Sequence, residues 1–420
     1  MNATVLLLVQ LTLILVVARL CGAVLGRFGQ PPVIGEMAGG LLLGPIVFGA
    51  ALPELHGVVF AKASLPALSG LSTIGVALFM FIVGAELRAP EGNRNQLRAA
   101  ASIGLLGIVL PLCLGLAIAP ALHARFAPEG IGYWPFALFI AAAMSVTAFP
   151  VLARILKDRG LTRSTPGRLA LSAAVIDDGC VWILLAAVLA LAAGGSSGHG
   201  VGLALGGAAV LAVVVFGLFK PLYARLLRPA ADGEPATAAF VWVLVGLLAC
   251  AAFAEWIGLH AVFGAFVFGL CLPREEGLLH FLARRIEPVA ILLLMPVVFA
   301  LAGQNTTPQA FAGAGLGAFA LILAVAVLGK VVGCAAGARL NGYGWRDSLA
   351  VGSLMNARGL MELVVIKIGF DAGLIGPALF TLLFAMTLVT TLMASPLLGL
   401  FYGGSRAVDA TGPGTRAGLH

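Results

Sequence analysis

Long apolar stretches recur along the whole chain and are separated by short polar connections. A helix needs roughly 20 apolar residues to cross ~30 Å of hydrocarbon, because each residue advances it by ~1.5 Å. The composition of residues 403–420, rich in Gly, Ala and Thr, predicts a disordered tail. This tail follows a single transmembrane domain over residues 1–402. The pattern in that domain predicts thirteen membrane-spanning helices, at residues 4–25, 33–51, 67–87, 99–120, 134–156, 169–193, 200–218, 237–255, 258–272, 286–303, 312–338, 347–369 and 373–401.

The basic residues indicate how these segments alternate across the membrane. With alternate loops assigned to opposite sides, 20 of the 25 Lys and Arg fall on the side where the chain ends, and only Lys62 and Arg125 fall on the other. Loops rich in Lys and Arg lie on the cytoplasmic side. We therefore expect a multi-pass protein of the cell membrane with its N-terminus outside and its C-terminus in the cytoplasm.

Composition excludes several classes of protein. The chain is 61% apolar and 10% charged, whereas soluble domains are about 25% charged, so a soluble enzyme is not expected. The net charge of +7 comes from residues scattered over short loops without aromatic interleaving, which argues against a nucleic-acid partner. The Cys and His residues show no metal-ligand spacing, and no cofactor is expected. The excess of Arg over Lys, with abundant Ala and Gly, suggests a bacterial source.

Two stretches inside the membrane do not read as continuous helix. Residues 145–150 place Pro150 in mid-span, which removes a backbone hydrogen bond and disfavours helix at the preceding residue. Residues 353–359 place Asn356 and Arg358 at a comparable depth. The two breaks are seven segments apart, so their helices cross the membrane in opposite directions. Broken helices in corresponding positions of oppositely oriented halves indicate an inverted-repeat transporter with its site between the repeats.

Three charged side chains lie at mid-depth: Asp177 and Asp178 in one segment and Lys330 in another. Asp177 lies nine residues after the cytoplasmic Arg168 and Lys330 lies nine residues before the cytoplasmic Arg339, which places these charges ~13 Å into the bilayer. A charge there costs roughly 2.5–3.5 kcal/mol and needs a partner or a water-filled cavity. A permanent Asp–Lys pair would explain two of the three charges and leave one carboxylate uncompensated. Such a carboxylate can exchange a proton for a cation, and the broken backbones can add carbonyl ligands for Na⁺.

Several motifs in the chain carry a family resemblance. Over residues 4–401 they resemble the second branch of the cation:proton antiporter superfamily, which includes bacterial sodium/proton antiporters, potassium-efflux transporters and plant cation/proton exchangers. The matching motifs, in chain order, are Gln30-Pro-Pro-Val-Ile-Gly-Glu-Met-Ala-Gly-Gly-Leu-Leu-Leu-Gly-Pro45, Leu78-Phe-Met-Phe-Ile-Val-Gly-Ala-Glu-Leu87, Ser145-Val-Thr-Ala-Phe-Pro-Val-Leu-Ala-Arg-Ile-Leu156, Asp177-Asp178 and Met355-Asn-Ala-Arg-Gly-Leu-Met-Glu-Leu-Val364.

The resemblance implies an all-helical fold of thirteen spans, with crossed broken helices in a core domain and a separate domain that forms a homodimer. It implies that Asp178 is the carboxylate that binds Na⁺ or K⁺ and the proton, and that Asp177 pairs with Lys330. Thr147 falls at the break near the ion. The paired acids resemble electrogenic members, which exchange more protons than cations, and the activity implies a part in pH homeostasis.

The chain also departs from parts of this family. A nucleotide-binding regulatory domain is not expected here. The motif with Arg358 and Glu362 resembles the plant exchangers, whereas the adjacent acids resemble sodium-selective bacterial members, so the choice between Na⁺ and K⁺ stays open. Arg358 and Glu362 are spaced to pair on one helix face, in a structural or a gating role. A sodium-coupled organic-solute symporter is the alternative function, although it would not need Lys330 beside the acids.

Overall fold

The computed structural model describes residues 2–86, 94–193, 206–207, 209–227, 237–257, 260–273 and 275–402. The predicted tail 403–420 lies outside these residues, as does the start of the predicted segment 200–218. Regular structure in the described part of the chain is helical. The helices are α1 (Ala3–Arg27), α2 (Pro32–Leu43), α3 (Phe48–Ala51), α4 (Pro53–Val59), α5 (Leu65–Glu86), α6 (Arg94–Phe126), α7 (Tyr133–Ser145), α8 (Phe149–Asp158), α9 (Thr165–Ala193), α10 (Ala209–Leu226), α11 (Thr237–Trp256), α12 (Ala261–Cys271), α13 (Gly277–Gln304), α14 (Gly315–Leu340), α15 (Trp345–Met355), α16 (Leu360–Asp371) and α17 (Pro377–Tyr402).

The number of spans agrees with the prediction only in part. Within the described residues, ten helical segments are long and apolar enough to cross a membrane, and α15 with α16, bent by 45° at their break, make an eleventh span. Two shorter apolar helices, Phe240–Trp256 and Ala261–Cys271, lie where the eighth and ninth spans are predicted. The count of thirteen stays a prediction, because these two helices are shorter than an ordinary span.

Several helices extend beyond the apolar windows that predict them. Helix α6 begins before residue 99 and ends after residue 120, and it keeps Pro111 and Pro120 within its length. Helix α13 begins before residue 286 with an amphipathic turn, in which the Arg285 guanidinium lies 4.2 Å from the centre of the Phe281 ring. A hydropathy window misses such ends, because their polar side chains lower the average while the backbone remains helical.

The helices pack in two groups. The flanking group contains α1, α2, α5, α11, α12 and α13, and the core group contains α6 to α9 and α14 to α17. Each group contains helices from both halves of the chain, and α10 is the helix that separates the two halves in sequence. This arrangement is the one expected of two repeats in which corresponding helices are seven spans apart.

Glycines bring α14 directly against α6 in the core group. Gly329, Gly333 and Gly337 recur every fourth residue, so they share one face of α14. A Cβ atom at Gly337 would lie 2.6 Å from the Ile103 Cα, and one at Gly333 would lie 2.5 Å from the Leu106 carbonyl oxygen. Small residues allow helix backbones in membranes to approach this closely. The same contact sets the position of Lys330 beside α6.

Replacement of Gly337 by Ala is expected to destabilise the protein. The added methyl group overlaps the α6 backbone, and overpacking of this kind costs about 1–3 kcal/mol. Thermal unfolding in detergent should show a lower midpoint for Gly337→Ala. Gly317→Ala on the same helix is the control, because a Cβ there meets nothing within 4 Å. Equal midpoints for the two variants would contradict the close packing of α6 and α14.

Candidate functional site

The two breaks predicted from the sequence lie against each other at the centre of the core group. Helix α7 ends at Ser145 and α8 begins at Phe149, while α15 ends at Met355 and α16 begins at Leu360. The Ala148 N–H donates to the Ala357 carbonyl at 3.1 Å. The Thr147 hydroxyl donates to the Met355 carbonyl at 3.3 Å. Each break thus satisfies part of the other's backbone, which isolated broken helices in hydrocarbon cannot do.

Pro150 and Gly359 shape the breaks from their edges. Pro150 lies in the first turn of α8, where its missing N–H would have no helical partner in any case. The proline therefore begins the second half-helix instead of lying in the break itself. Gly359 precedes α16 with φ +150°, a backbone conformation that favours glycine. A Cβ there would lie 2.9 Å from Val151, so this glycine also allows α8 to approach.

Lys330 and Asp177 form an ion pair beside the crossing. The Lys330 Nζ donates to the Asp177 Oδ1 at 2.8 Å, and both side chains are 0% exposed. The pair joins α9 to α14, which are far apart in the chain. Gly107 on α6 lets α14 approach beside the pair, since a Cβ at this position would lie 2.6 Å from the Cys334 Sγ. The mid-depth meeting of an acid with Lys330, expected from the sequence, is present in the structure.

Asp178 lies on the next residue of α9 and is 2% exposed. Its Oδ2 atom is buried and has no hydrogen-bond partner among the described residues, and the same is true of the Asp177 Oδ2. The Thr147 hydroxyl lies beside the Asp177 carboxylate. Unpaired carboxylate oxygens in the membrane interior are costly, and ionisable residues at such positions usually line ion or proton pathways.

Arg358 holds the end of α7 to the second break. Its guanidinium is fully buried and donates to the Glu362 Oε2 at 2.8 Å, to the Ala143 carbonyl at 2.9 Å and to the Met144 carbonyl at 2.6 Å. The last carbonyls of a helix lack helical partners and carry the negative end of its dipole. Arg358 therefore neutralises the end of α7, and Glu362 balances Arg358. The pairing of these two residues, expected from their spacing, is present.

Asn356 occupies the break between α15 and α16. Its amide donates to the Thr390 carbonyl on α17 at 3.4 Å, while its Oδ1 is buried without a partner. Sequence reasoning missed Thr390 and gave no separate role to Ser145, whose hydroxyl donates to the Ile108 and Ala141 carbonyls. Polar residues within apolar segments were the available signal, although hydroxyls that bond their own helix look identical in sequence.

The atoms at this crossing suit a hard monovalent cation. The buried oxygen atoms without a partner at the crossing belong to carboxylates and to an amide, and hard cations in proteins are bound by oxygen ligands. In the described part of the chain, no three His, Cys, Asp or Glu side chains come together as a transition-metal site would require. The chemistry available is therefore competition between a cation and a proton for carboxylate oxygen.

Comparison with known proteins agrees with this geometry. The profile of the family described as "Sodium/hydrogen exchanger, transmembrane" matches residues 13–401. The chain belongs to this family. It is 36% identical to the Na⁺/H⁺ antiporter NhaS4 of Synechocystis over 96% of this chain and 98% of that protein. It is 35% identical to the cation/H⁺ antiporter 17 of Arabidopsis thaliana over 96% of this chain, but it spans only 49% of that protein.

A solved structure has the same fold. The sodium/proton antiporter MjNhaP1 of Methanocaldococcus jannaschii superposes with a TM-score of 0.66, covering 95% of this chain and 98% of that one, at 15% identity.

Membership of the exchanger family makes this protein a transporter and not an enzyme. The ions that it moves are substrates and not cofactors.

Loss of Lys330 alone should destabilise the protein more than loss of the whole pair. Lys330→Met leaves Asp177 buried without a counter-ion, which costs roughly 3–5 kcal/mol for a fully buried pair. The double variant Asp177→Asn with Lys330→Met should recover most of this loss. Thermal unfolding in detergent measures both, with Lys367→Met as the control at a partly exposed position. A double variant as unstable as Lys330→Met would contradict a direct pairing.

Proposed function

We propose that the protein is a secondary active antiporter that exchanges a monovalent cation, Na⁺ or K⁺, for protons. The observation that carries the proposal is the buried Asp178 Oδ2 without a partner, next to an acid whose charge Lys330 neutralises. Asp178 is the shared site: deprotonated, it binds the cation, and protonated, it releases it. The relatives support this activity, since their names give Na⁺/H⁺, cation/H⁺ and, for a yeast protein 33% identical over 94% of this chain, K⁺/H⁺ antiport.

The charge balance at the crossing explains the competition. Five ionisable side chains are buried there: Asp177, Asp178, Lys330, Arg358 and Glu362. With all five charged, the cluster carries one excess negative charge. One monovalent cation or one proton on Asp178 brings the sum to zero, whereas both together leave an uncompensated positive charge in hydrocarbon, which is costly. The two ions therefore exclude each other from this site.

Alternating access requires a path to each face of the membrane. One cavity, of about 380 Å³, lies between the groups where α5 begins and α16 ends. Another, of about 570 Å³, lies where α1 ends, bordered by Gln30 of the flanking side and Arg159 and Ser395 of the core side. Since α5 begins on the face opposite to the end of α1, the two cavities lie at opposite ends of the interface, with the buried acids between them. Movement of the core group against the flanking group would open one cavity and close the other.

The proposed setting is a cell membrane of a bacterium. In the proposed orientation, which the loops rich in Lys and Arg support, the end of α1 and the end of α17 lie in the cytoplasm and the N-terminus lies outside. The 380 Å³ cavity then faces outwards. We further propose that two copies of the chain associate through the flanking group and that the exchange serves pH homeostasis.

Replacement of Asp178 by Asn should abolish exchange, because the amide neither takes up a proton nor carries a charge for the cation. The assay follows internal pH in proteoliposomes while Na⁺, K⁺ or Li⁺ is added outside, without any organic solute. Wild type should change internal pH with at least one cation, and that cation is the substrate. Glu129→Gln, in the connection before α7, is the control and should behave as wild type.

Two results of this assay would reject the proposal. Coupled exchange retained in Asp178→Asn would remove Asp178 from the ion site. A wild type that moves protons with none of the cations until an organic solute is added would instead establish the symporter.

Asp177 should determine the number of protons exchanged. Asp178 alone provides one-for-one exchange, and a second proton requires a second titrating group, for which the Asp177–Lys330 pair is the candidate. Wild-type exchange should therefore respond to an imposed membrane potential, whereas Asp177→Asn should exchange without that response. The measurement compares rates of cation uptake at several potentials, set with K⁺ and valinomycin or, where K⁺ is the substrate, with a gradient of a permeant anion. An Asn variant with wild-type voltage dependence would exclude Asp177 from the second proton's route.

A further inference from the structure

A polar cavity of about 490 Å³ lies between the first turns of α6 and the end of α14. Its described lining consists of Asn95, Arg98, Ser102, Leu340, Asn341 and Tyr343. The first three belong to α6, and the other three belong to the last residue of α14 and the turn that follows it. Ligand pockets in proteins commonly have volumes of ~300–1,000 Å³, so this cavity is large enough to admit a small polar group.

The cavity carries positive charge that its own walls do not balance. The described residues that line it include Arg98 but no Asp or Glu. A second cavity, of about 220 Å³, shares Tyr343 and adds Arg168 from α9, again without an acid among its described lining. Neither arginine forms an ion pair within the described part of the chain. The ligand that this lining fits is therefore an anion, and phosphate is the anion that arginine binds best.

A third arginine holds the turn that carries Tyr343. The Arg339 guanidinium donates to the Tyr343 carbonyl and lies 4.8 Å from the centre of the Trp345 ring. Gly342 has φ +86°, a conformation that favours glycine and lets the chain turn between these contacts. Tyr343 is thus held between the two cavities by contacts of its backbone. Its hydroxyl takes no part in them and can donate to an anion.

The surroundings of the cavity favour a lipid over a soluble anion. Leu340, in the lining, is 77% exposed, and the nearby Trp345 is 64% exposed. Trp is enriched at the level of lipid headgroups. An apolar surface continues from the cavity along α6 and α14, because exposed side chains follow one another there at helical spacing. These side chains are Leu105, Val109, Leu328 and Val332. A phospholipid can place its phosphate in the cavity and its acyl chains on this surface, whereas a soluble anion makes no use of the surface.

The charge of the lining also selects among phospholipids. In the proposed orientation, this end of α6 and α14 faces the cytoplasm, and basic pockets between membrane helices on that side bind anionic headgroups. A zwitterionic headgroup would bring a cation into the cavity, and no acid among the described lining residues could receive it. An anionic headgroup brings only the charge that Arg98 lacks.

We propose that this cavity binds the phosphate of an anionic phospholipid, with Arg98 as the main ligand and the Tyr343 hydroxyl as a second donor. A phosphate held by both residues joins the start of α6 to the end of α14. These are the two helices whose close contact sets the position of Lys330. Bound lipid therefore stabilises the core group, and this binding does not depend on the proposed exchange of ions.

The first test follows thermal unfolding of the full-length protein in detergent while lipid is added. Phosphatidylglycerol should raise the midpoint, because a ligand that binds only the folded state stabilises it, and phosphatidylcholine should raise it much less. Arg98→Gln should need about tenfold more phosphatidylglycerol for the same rise, and Tyr343→Phe about threefold more. Arg346→Gln is the matched control. It removes the same charge at an exposed residue of α15 outside the cavity and should respond as wild type.

The same measurement separates a lipid from a soluble anion. Glycerol phosphate carries the phosphate without acyl chains, and it should leave the midpoint unchanged at concentrations at which phosphatidylglycerol acts. An equal rise with glycerol phosphate would make the cavity a site for free phosphate compounds. An equal response of Arg98→Gln and wild type to phosphatidylglycerol would place the lipid elsewhere. Either result would overturn the proposal.

The second test locates the bound lipid directly. A phosphatidylglycerol with a photoreactive group on its headgroup should crosslink the wild type within residues 94–105 or 339–345, and an excess of unlabelled phosphatidylglycerol should prevent this. Arg98→Gln should reduce the crosslinking about tenfold, while Arg346→Gln should leave it unchanged. Crosslinks confined to the flanking group, or equally strong in Arg98→Gln, would show that this cavity is not the lipid site.

Discussion

The ion pair between Lys330 and Asp177 is the interaction on which the rest of the core depends. Both side chains are fully buried at 2.8 Å, at a depth where neither charge could remain alone. Among the described residues Lys330 is the one buried lysine, and it pairs with the first of two adjacent acids. Asp178 is thereby left as a buried carboxylate whose Oδ2 has no partner among the described residues. The structural pair and the proposed transport site would in this way be two consequences of one charge imbalance.

The two buried ion pairs differ in how they can respond to an ion. Arg358 and Glu362 are four residues apart and hold the carbonyls at the end of α7, so this pair is part of the break itself. Lys330 and Asp177 are 153 residues apart in the chain. The glycine contact of α14 with α6 holds Lys330 near Asp177. A shift of α9 against α14 changes the second pair and not the first. The long-range pair is therefore the one whose strength can follow the occupancy of Asp178.

Most of this arrangement could be predicted from the sequence, for physical reasons. Apolar length predicted the spans, and prolines and polar residues in mid-span predicted both breaks, because hydrocarbon penalises each exception to an apolar helix. Helix ends were less predictable, as α6 and α13 show, since polar ends leave no hydropathy signal. The contacts of Arg358 with Ala143 and Met144 could not be predicted, because backbone acceptors have no signature in the sequence. The grouping into flanking and core helices could not be predicted either, because a glycine in the sequence does not show which helix it contacts.

The distribution of the charges explains how a buried site can move at all. Every charged member of the crossing, and every carbonyl that Arg358 contacts, belongs to the core group. A rigid displacement of this group against the flanking helices would carry the whole cluster without breaking a buried ion pair, so the largest electrostatic cost of moving charge through hydrocarbon is avoided. The cost that remains is the excess charge on Asp178. In the proposed exchange, neutralisation of that charge by a cation or by a proton would permit the displacement, and an empty, deprotonated site would oppose it. The proposed coupling would then follow from the same constraint that buried the pair.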